Sequence, residues 1–486
     1  MIAPPAVRFS SWRRLPHLPL AARRIVEGGA TRRITSGRKA GGAALAYLCA
    51  TAAVQAQSVD SKAGVPTSAV AATLSAKPAD AGTRGDTFKY FDTLGEKGWI
   101  VPRPGTAESV IADTGGIRSA LAEYGIGFLG LGSYSFFGDT LHQTPGTQYY
   151  NGQKPTFGSS TSLSVSLNLD QYGIPNAQIT AAGVLLTTTW ESFGPSAFSL
   201  LRLNYYQSFF DGRLEIKAGY IANNYEFFGT SVGGNIISGT LGPNANVLYQ
   251  LGLSRTPLTT PGVNIRLNGP NNLYLKSGIQ RSINPAGAQA ESDANPTGFR
   301  FSTPHAGTLL INEVGYKRAA SAEERSVWIR GGVLYNDSPY TVFGTRETAS
   351  NSAFAVLADA QILKTDDAFP ARGIYGGASF LKGDPNVDGT DRYYEGRLYG
   401  VGIVPGRPKD FISLVYTHTD FSQRQFLARS RKIPGVTAIN NLTVSYSTHV
   451  ARGVFLNTGF TYGDHASVSP ITRPALVFSG ALSVVY

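Results

Sequence analysis

From residue 126 to the C-terminus, apolar and polar side chains alternate with period two, which sends successive residues to opposite faces of a strand. In 197–209, Leu201, Leu203 and Tyr205 fall on one face and Arg202 and Asn204 on the other. In 214–221, Leu214, Ile216, Ala218 and Tyr220 oppose Glu215 and Lys217. Asp211-Gly212 between the two runs is a strong hairpin signal, because both residues tolerate positive φ. The pattern predicts strands over 126–137, 160–168, 177–189, 197–209, 214–221, 263–267, 273–283 and 308–317. It predicts eight more over 325–334, 353–363, 373–381, 392–404, 411–418, 442–449, 453–461 and 476–486. The run at 263–267 is the weakest.

The connections alternate in length. Short ones at 170–176, 211–213, 268–272, 319–324, 365–372, 405–410 and 450–452 alternate with longer ones. The longer ones include 138–159, 222–262, 284–307, 335–352 and 419–441. An even number of antiparallel strands with this rhythm marks an outer-membrane barrel, its short turns and both termini periplasmic; a soluble sandwich shows no such rhythm. The last run ends on Tyr486, and a C-terminal aromatic on such a strand resembles the assembly signal of bacterial outer-membrane proteins. Past the leader no stretch is apolar enough to span as a helix, which leaves a barrel as the spanning option. The expected fold is therefore all-β: a transmembrane antiparallel β-barrel of about 16 strands. A short helical N-terminal segment sits at its periplasmic mouth. That segment rests on 113–124, where Ile117, Leu121 and Tyr124 recur at helical spacing and Gly125 ends the run.

Ahead of the barrel, nine Arg and Lys residues precede an apolar stretch at 43–54 and a small-residue cleavage pattern at Val54-Gln55-Ala56. This reads as an export signal with a long basic leader, against the rival of an Arg-rich tail. Cys49 follows Tyr47-Leu48, a poor context for a lipid anchor. The expected organisation is a signal at 1–57, a disordered linker at 58–85 rich in Ala, Ser, Pro and Thr, a periplasmic helical segment at 86–125 and the barrel at 126–486.

Composition agrees with this reading. Among 486 residues there are 56 Gly, 24 Tyr and 25 Phe, and only 15% are charged, against roughly 25% in soluble domains. The formal charge of +11 comes mostly from the leader; without residues 1–57 the chain carries 34 basic and 31 acidic residues. Nucleic-acid binding therefore does not follow from charge. A single Cys excludes an intrachain disulfide.

With lipid outside, the polar face of each strand points into the lumen. The candidate pore-lining residues are Arg202, Asn204, Glu215, Lys217, Arg266, Lys276, Arg330, Asp359, Glu395 and Arg397, with Gln280 and Gln361 beside them. Glu313 and Lys317 share a face of less certain register. Sixteen strands leave an aqueous channel. Mixed charges and amides can hydrogen-bond a neutral polyhydroxylated solute, and aromatics can stack on a sugar face. Trp190, Phe193 and Tyr225 are the stacking candidates, with Phe227 and Phe228 nearby. For each charged residue the plainer alternative is a hydrated wall or a stiffening ion pair.

Three motifs look chemical without the context their chemistry needs. Gly125-Ile-Gly-Phe-Leu-Gly130 matches a dinucleotide fingerprint, but helix precedes strand, the reverse of the required order. Gly229-Thr-Ser-Val-Gly233 matches a nucleophile elbow around Ser231, but in a long loop without parallel α/β pattern. Asp366-Asp367 reads as a solvated turn before a calcium site. No metal-ligand spacing of Cys and His occurs, and no catalytic residue is assigned.

These pieces together resemble the carbohydrate-selective outer-membrane porin family (OprB type), over roughly 110–486. The resemblance is carried by Asp113-Thr-Gly-Gly-Ile-Arg-Ser-Ala-Leu, Tyr205-Tyr-Gln-Ser-Phe-Phe-Asp-Gly-Arg-Leu, Lys217-Ala-Gly, Thr256-Pro-Leu and the closing strand. Thr114 stands where the family pattern often has Trp. The resemblance implies a 16-stranded barrel that passes sugars, glucose-like monosaccharides or small oligosaccharides, by facilitated diffusion. It implies no enzyme activity, no cofactor and no energy source. The partners are carbohydrate solutes and outer-membrane lipid, with no nucleic acid and with room for a homo-oligomer. The alternatives are a general or anion-preferring pore, a barrel hydrolase using Ser231, and an adhesive barrel with a blocked lumen.

Overall fold

The computed structural model describes residues 84–99, 103–142, 146–190, 197–230, 246–429 and 434–486. The expected signal, most of the linker, Cys49, Phe193 and Ser231 lie outside them. Sixteen antiparallel strands close into one barrel in sequence order, the first pairing with the last. They are β1 (Ile126–Asp139), β2 (Thr156–Asn168), β3 (Ala177–Thr188), β4 (Ala197–Phe209), β5 (Leu214–Ile221), β6 (Thr260–Asn268), β7 (Leu273–Arg281) and β8 (Thr308–Arg318). Then come β9 (Val327–Thr341), β10 (Thr348–Lys364), β11 (Gly373–Lys382), β12 (Thr390–Val401), β13 (Phe411–Phe421), β14 (Ala438–Ala451), β15 (Val454–Gly463) and β16 (Ala475–Val485). Short helices are α1 (Arg84–Thr93), α2 (Ile117–Ala122), α3 (Asn246–Gln250), α4 (Ala288–Ala294) and α5 (Gln423–Ala428). No described helix is long and apolar enough to cross a membrane, and closure leaves no edge strand with unpaired backbone.

The outward positions carry an exposed apolar band, including Leu163, Leu203, Ile265, Val333, Leu414 and Leu456. One expected outward residue is not there. Leu201 is buried, packed with Ala182, Val184 and Leu186 on the inner side. The β3–β4 register shifts at Ala182/Gly183, so Leu201 is the extra residue of a bulge and the alternation resets across it. The loop expected at 335–352 is instead a continuation of β9 and β10, joined by a turn at 342–347. The alternation there has polar residues facing inward, Asn336 and Ser338, so no apolar run announces the strand. At Asp211-Gly212 the connection is four residues long, with Phe210, Asp211 and Gly212 all at positive φ.

The expected helix at 113–124 is shorter and turned over. Gly115 and Gly116 take φ of 70° and 67°, and the α-helix begins only at Ile117. Ile117 and Tyr124 are exposed, while Arg118 and Ala122 face the protein. Arg118 Nε donates to the Ala112 carbonyl at 2.6 Å. Its Nη1 donates to the Phe128 carbonyl at 2.6 Å, and its Nη2 to the Tyr486 carbonyl at 3.1 Å. One guanidinium, always charged and fork-shaped, thus ties the helix to both strands of the barrel seam. Glycines complete the seam: a Cβ on Gly130 would lie 3.0 Å from the Tyr486 side chain, and one on Gly127 2.5 Å from the Leu94 carbonyl oxygen. The G-x-G-x-x-G motif serves close backbone approach here.

Candidate functional site

The lumen is shaped first by residues 222–230 and 246–259 after β5, which fold inward. Phe227, Phe228, Val247, Leu248, Leu251 and Leu253 form one buried cluster with Leu309 and Ile311 of β8, Leu334 of β9, Ala355 and Leu357 of β10 and Leu381 of β11. Those wall residues occupy inner positions, and the stretch Leu309–Ile311 of β8 is apolar on both faces, with Leu310 exposed outward. Each fully buried side chain of this size contributes about 1.5–3 kcal/mol, so the cluster holds the loop firmly.

Polar contacts fix where the loop sits. Glu226 lies between Lys217 of β5 and Lys276 of β7, each ammonium 2.7 Å from a carboxylate oxygen. All three side chains are at most 4% exposed. Burial alone would raise the Glu226 pKa, but the two lysines outweigh it and hold the carboxyl below the ordinary carboxylate value. Asn223 donates to Gln280 Oε1 and accepts from Asn264 Nδ2, both at 2.7 Å. The Phe228 N–H donates to Glu313, and Arg330 donates to the Gly229 carbonyl. Next to this lies a second ionic group. Asp359 accepts from Arg330 at 2.9 Å and from Arg397 at 2.7 and 2.8 Å, and Arg397 also pairs with Glu395 at 2.7 Å.

The pre-barrel segment reaches the same region. Glu96 lies 3.0 Å from Arg202 and 3.7 Å from Lys217. Burial would raise its pKa, but Arg202, Lys217 and Arg103 together lower it. Trp99 stacks on Tyr225 at 4.7 Å.

The candidate residues therefore fall into separate groups. Arg202 and Lys217 meet the pre-barrel segment and the loop; Lys276 meets the loop; Arg330, Asp359, Glu395 and Arg397 form one network. Asn204 is buried on β4. Glu215 sits at the short-turn rim, accepting from Asn268 at 2.7 Å, and the Arg266 guanidinium lies 4.9 Å from the Tyr274 ring. Trp190 packs against the buried cluster that includes Phe137 and Tyr150 at the long-loop end, whereas Tyr225 stacks on Trp99. Sequence reasoning passed over Glu226, Glu96, Trp99 and Arg118. A lone acid inside the aromatic run Tyr225-Glu-Phe-Phe was a usable signal for Glu226; Glu96 and Trp99 carried none.

Away from the loop the inner wall changes character. On β13–β16, Ser413, Thr417, Thr443, Ser445, Asn457, Thr461, Ser479 and Ser483 face inward. They bond one another: Ser413 to Ser445 at 2.8 Å, Thr443 to Thr461 at 3.0 Å, and Asn457 to Ser483 at 2.9 Å.

A family model described as carbohydrate-selective porin, OprB family, matches residues 167–485. No curated protein sequence matches the chain. Among solved structures, the high-pH structure of OprB from Pseudomonas putida aligns with a TM-score of 0.66 at 17% identity, covering 80% of this chain and 99% of that one. The low-pH structure of the same protein gives 0.52 at 16% identity, over 78% and 98%. At these identities the structural likeness speaks for the fold alone, whereas the family match spans most of the chain.

Proposed function

The chain belongs to the OprB family of carbohydrate-selective porins, and from that premise we propose that small sugars pass between the inward loop and the hydroxyl-rich face of β13–β16. The protein is a sugar porin of the outer membrane, a channel rather than an enzyme. The finer reading, a preference for monosaccharides, is carried by one observation: the loop after β5 is pinned inward by Glu226 between two buried lysines. A pinned loop narrows the passage at fixed cross-section. On one side a solute meets the loop and its charged supports. On the other it meets hydroxyls and amides, which exchange hydrogen bonds with sugar hydroxyls at little net cost. In a sixteen-strand barrel β13 is eight strands from β5, where the loop leaves the wall, while the loop's apolar dock runs on to Tyr393 of β12.

The candidate lumen residues support a neutral solute over an anion. Arg330 and Arg397 are neutralised by Asp359 and Glu395, so they present no bare ring of positive charge of the kind that selects anions. The outward apolar band would meet lipid. The test is conductance in a planar bilayer: glucose should reduce the single-channel current in a concentration-dependent way, with little preference for chloride. A large current indifferent to sugars would leave only a general pore.

A further inference from the structure

The chain ahead of the barrel sends a finger into the lumen from the short-turn end. Asp92 closes its base, accepting from the Thr106 N–H at 2.6 Å and the Thr106 hydroxyl at 2.8 Å. The finger then follows the inner wall from strand to strand. Leu94 lies over Gly127 of β1. Gln178 of β3 donates to the Leu94 and Gly95 carbonyls at 3.2 and 3.0 Å and accepts from the Lys97 N–H at 3.0 Å. Gly98 lies against the Lys217 side chain of β5. The path ends at Trp99.

Trp99 is held on several sides. Its ring stacks on Tyr225 with an interplanar angle of 16°. The Arg202 guanidinium lies 4.6 Å from its centroid and that of Arg103 4.3 Å, cation–π distances that favour a fixed ring. Glu96, buried just below, pairs with Arg202 and Lys217. Lys217 is also one of the two lysines that pin the inward loop. Finger and loop therefore share a cation and a ring stack, and they meet as one body.

Barrel closure does not need this arrangement, since the strand ladder is complete without it. An indole fixed beside the constricting loop takes cross-section that a solute would otherwise use. We infer that the finger is the second jaw of the constriction and that Trp99 is a specificity-determining residue, setting the largest sugar that passes. The inference rests on the sugar-porin reading above.

The test is liposome swelling with the full-length protein, using glucose, maltose and raffinose as probes. Trp99→Ala should raise the maltose-to-glucose and raffinose-to-glucose rate ratios several-fold, and Trp99→Phe should stay near the wild type. Unchanged ratios in Trp99→Ala, or an equal rise for all three sugars, overturn the inference. If Trp99→Ala does not reach the heat-modifiable folded form, Glu96→Gln answers in its place. It frees the finger from Arg202 and Lys217, so the ratios should rise by a smaller factor, and unchanged ratios overturn the inference. A wild-type protein that passes none of the three sugars would instead sink the sugar-porin reading, which separates the two failures.

Discussion

The inner wall has two halves built on different chemistry. From β4 to β12 it carries Arg202, Lys217, Lys276, Glu313, Arg330, Asp359, Glu395 and Arg397, interleaved with apolar positions such as Ile311 and Leu357. From β13 to β16 it carries Ser, Thr and Asn with no charge among the buried inward positions named above. The first half is a dock. Its charges hold the inward loop and the finger, and its apolar positions receive the loop's Phe and Leu side chains. The second half receives less of it: Tyr249 of the loop packs against the cluster that holds Ala475, Val477 and Ala481 of β16, while the hydroxyls are bonded to their neighbours. A charged lumen wall is thus no direct sign of a charged solute, because the charges are spent within the protein.

This difference can be broken most severely at Glu226. Glu226→Gln would leave two buried ammonium groups without their shared carboxylate. Removing one partner of a buried pair costs about 3–5 kcal/mol, comparable to what one or two buried side chains of the loop supply. The loop should loosen at its base, single-channel conductance should rise, and block by glucose should weaken. Protease cleavage within 222–259 reports the loosening separately. A variant with wild-type conductance and block would show that the apolar cluster alone positions the loop.

The strands were legible because each repeats one signal, lipid-facing apolar residues at every second position, which the membrane enforces on any closed barrel. Legibility failed where a third body covers the wall. Leu309, Ile311 and Leu334 face inward yet are apolar, since the loop rather than water lies against them. Leu201 could not be placed from alternation, because one bulge residue reverses the parity. The stripe at Ile117, Leu121 and Tyr124 misled for another reason: the packed side of α2 is chosen by Arg118, three of whose four hydrogen bonds go to backbone carbonyls with no trace in the sequence pattern. For the candidate lumen residues, alternation says nothing of the partner. Glu226 and Glu96, which decide what Lys217 and Arg202 do, lie outside the strands.

The two halves should also respond differently to pH. In the turn between β11 and β12, burial pushes the Asp388 carboxyl up to about 7, with Asp384 and Asp391 adding to it against hydrogen bonds from Asn351 and the Asp384 N–H. The adjoining Thr390 exchanges hydrogen bonds with Gln250 of α3 in the inward loop, so this turn supports the docked half. The acid's folded pKa lies above its unfolded value of 3.8. Between about pH 4 and 7 the opened turn therefore releases a proton that the closed turn retains, and the closed turn loses stability as pH rises. Opening free energies from hydrogen exchange over 384–390 should fall between pH 5 and 8, and Asp388→Asn should flatten that slope. Amides of β14 and β15 should show no comparable change. A matching slope there would mean that the pH response belongs to the whole barrel.

The smallest effect is expected on the hydroxyl side, where it is also the most discriminating. Thr443→Val removes one hydroxyl that bonds Thr461 at 3.0 Å. Losing that one hydrogen bond costs on the order of 1 kcal/mol. Since 1.4 kcal/mol corresponds to a tenfold change in an equilibrium constant, the glucose block constant should weaken by less than about tenfold. The reversal potential in a salt gradient should not move, because no charge has changed and none is left unpaired. Both quantities can be read from the same bilayer. A weakened block at constant reversal potential assigns sugar contact to this half and ion balance to the other. A shifted reversal potential would mean that the hydroxyl wall shapes the field as well, and the division of the lumen into a dock and a solute-facing wall would fail.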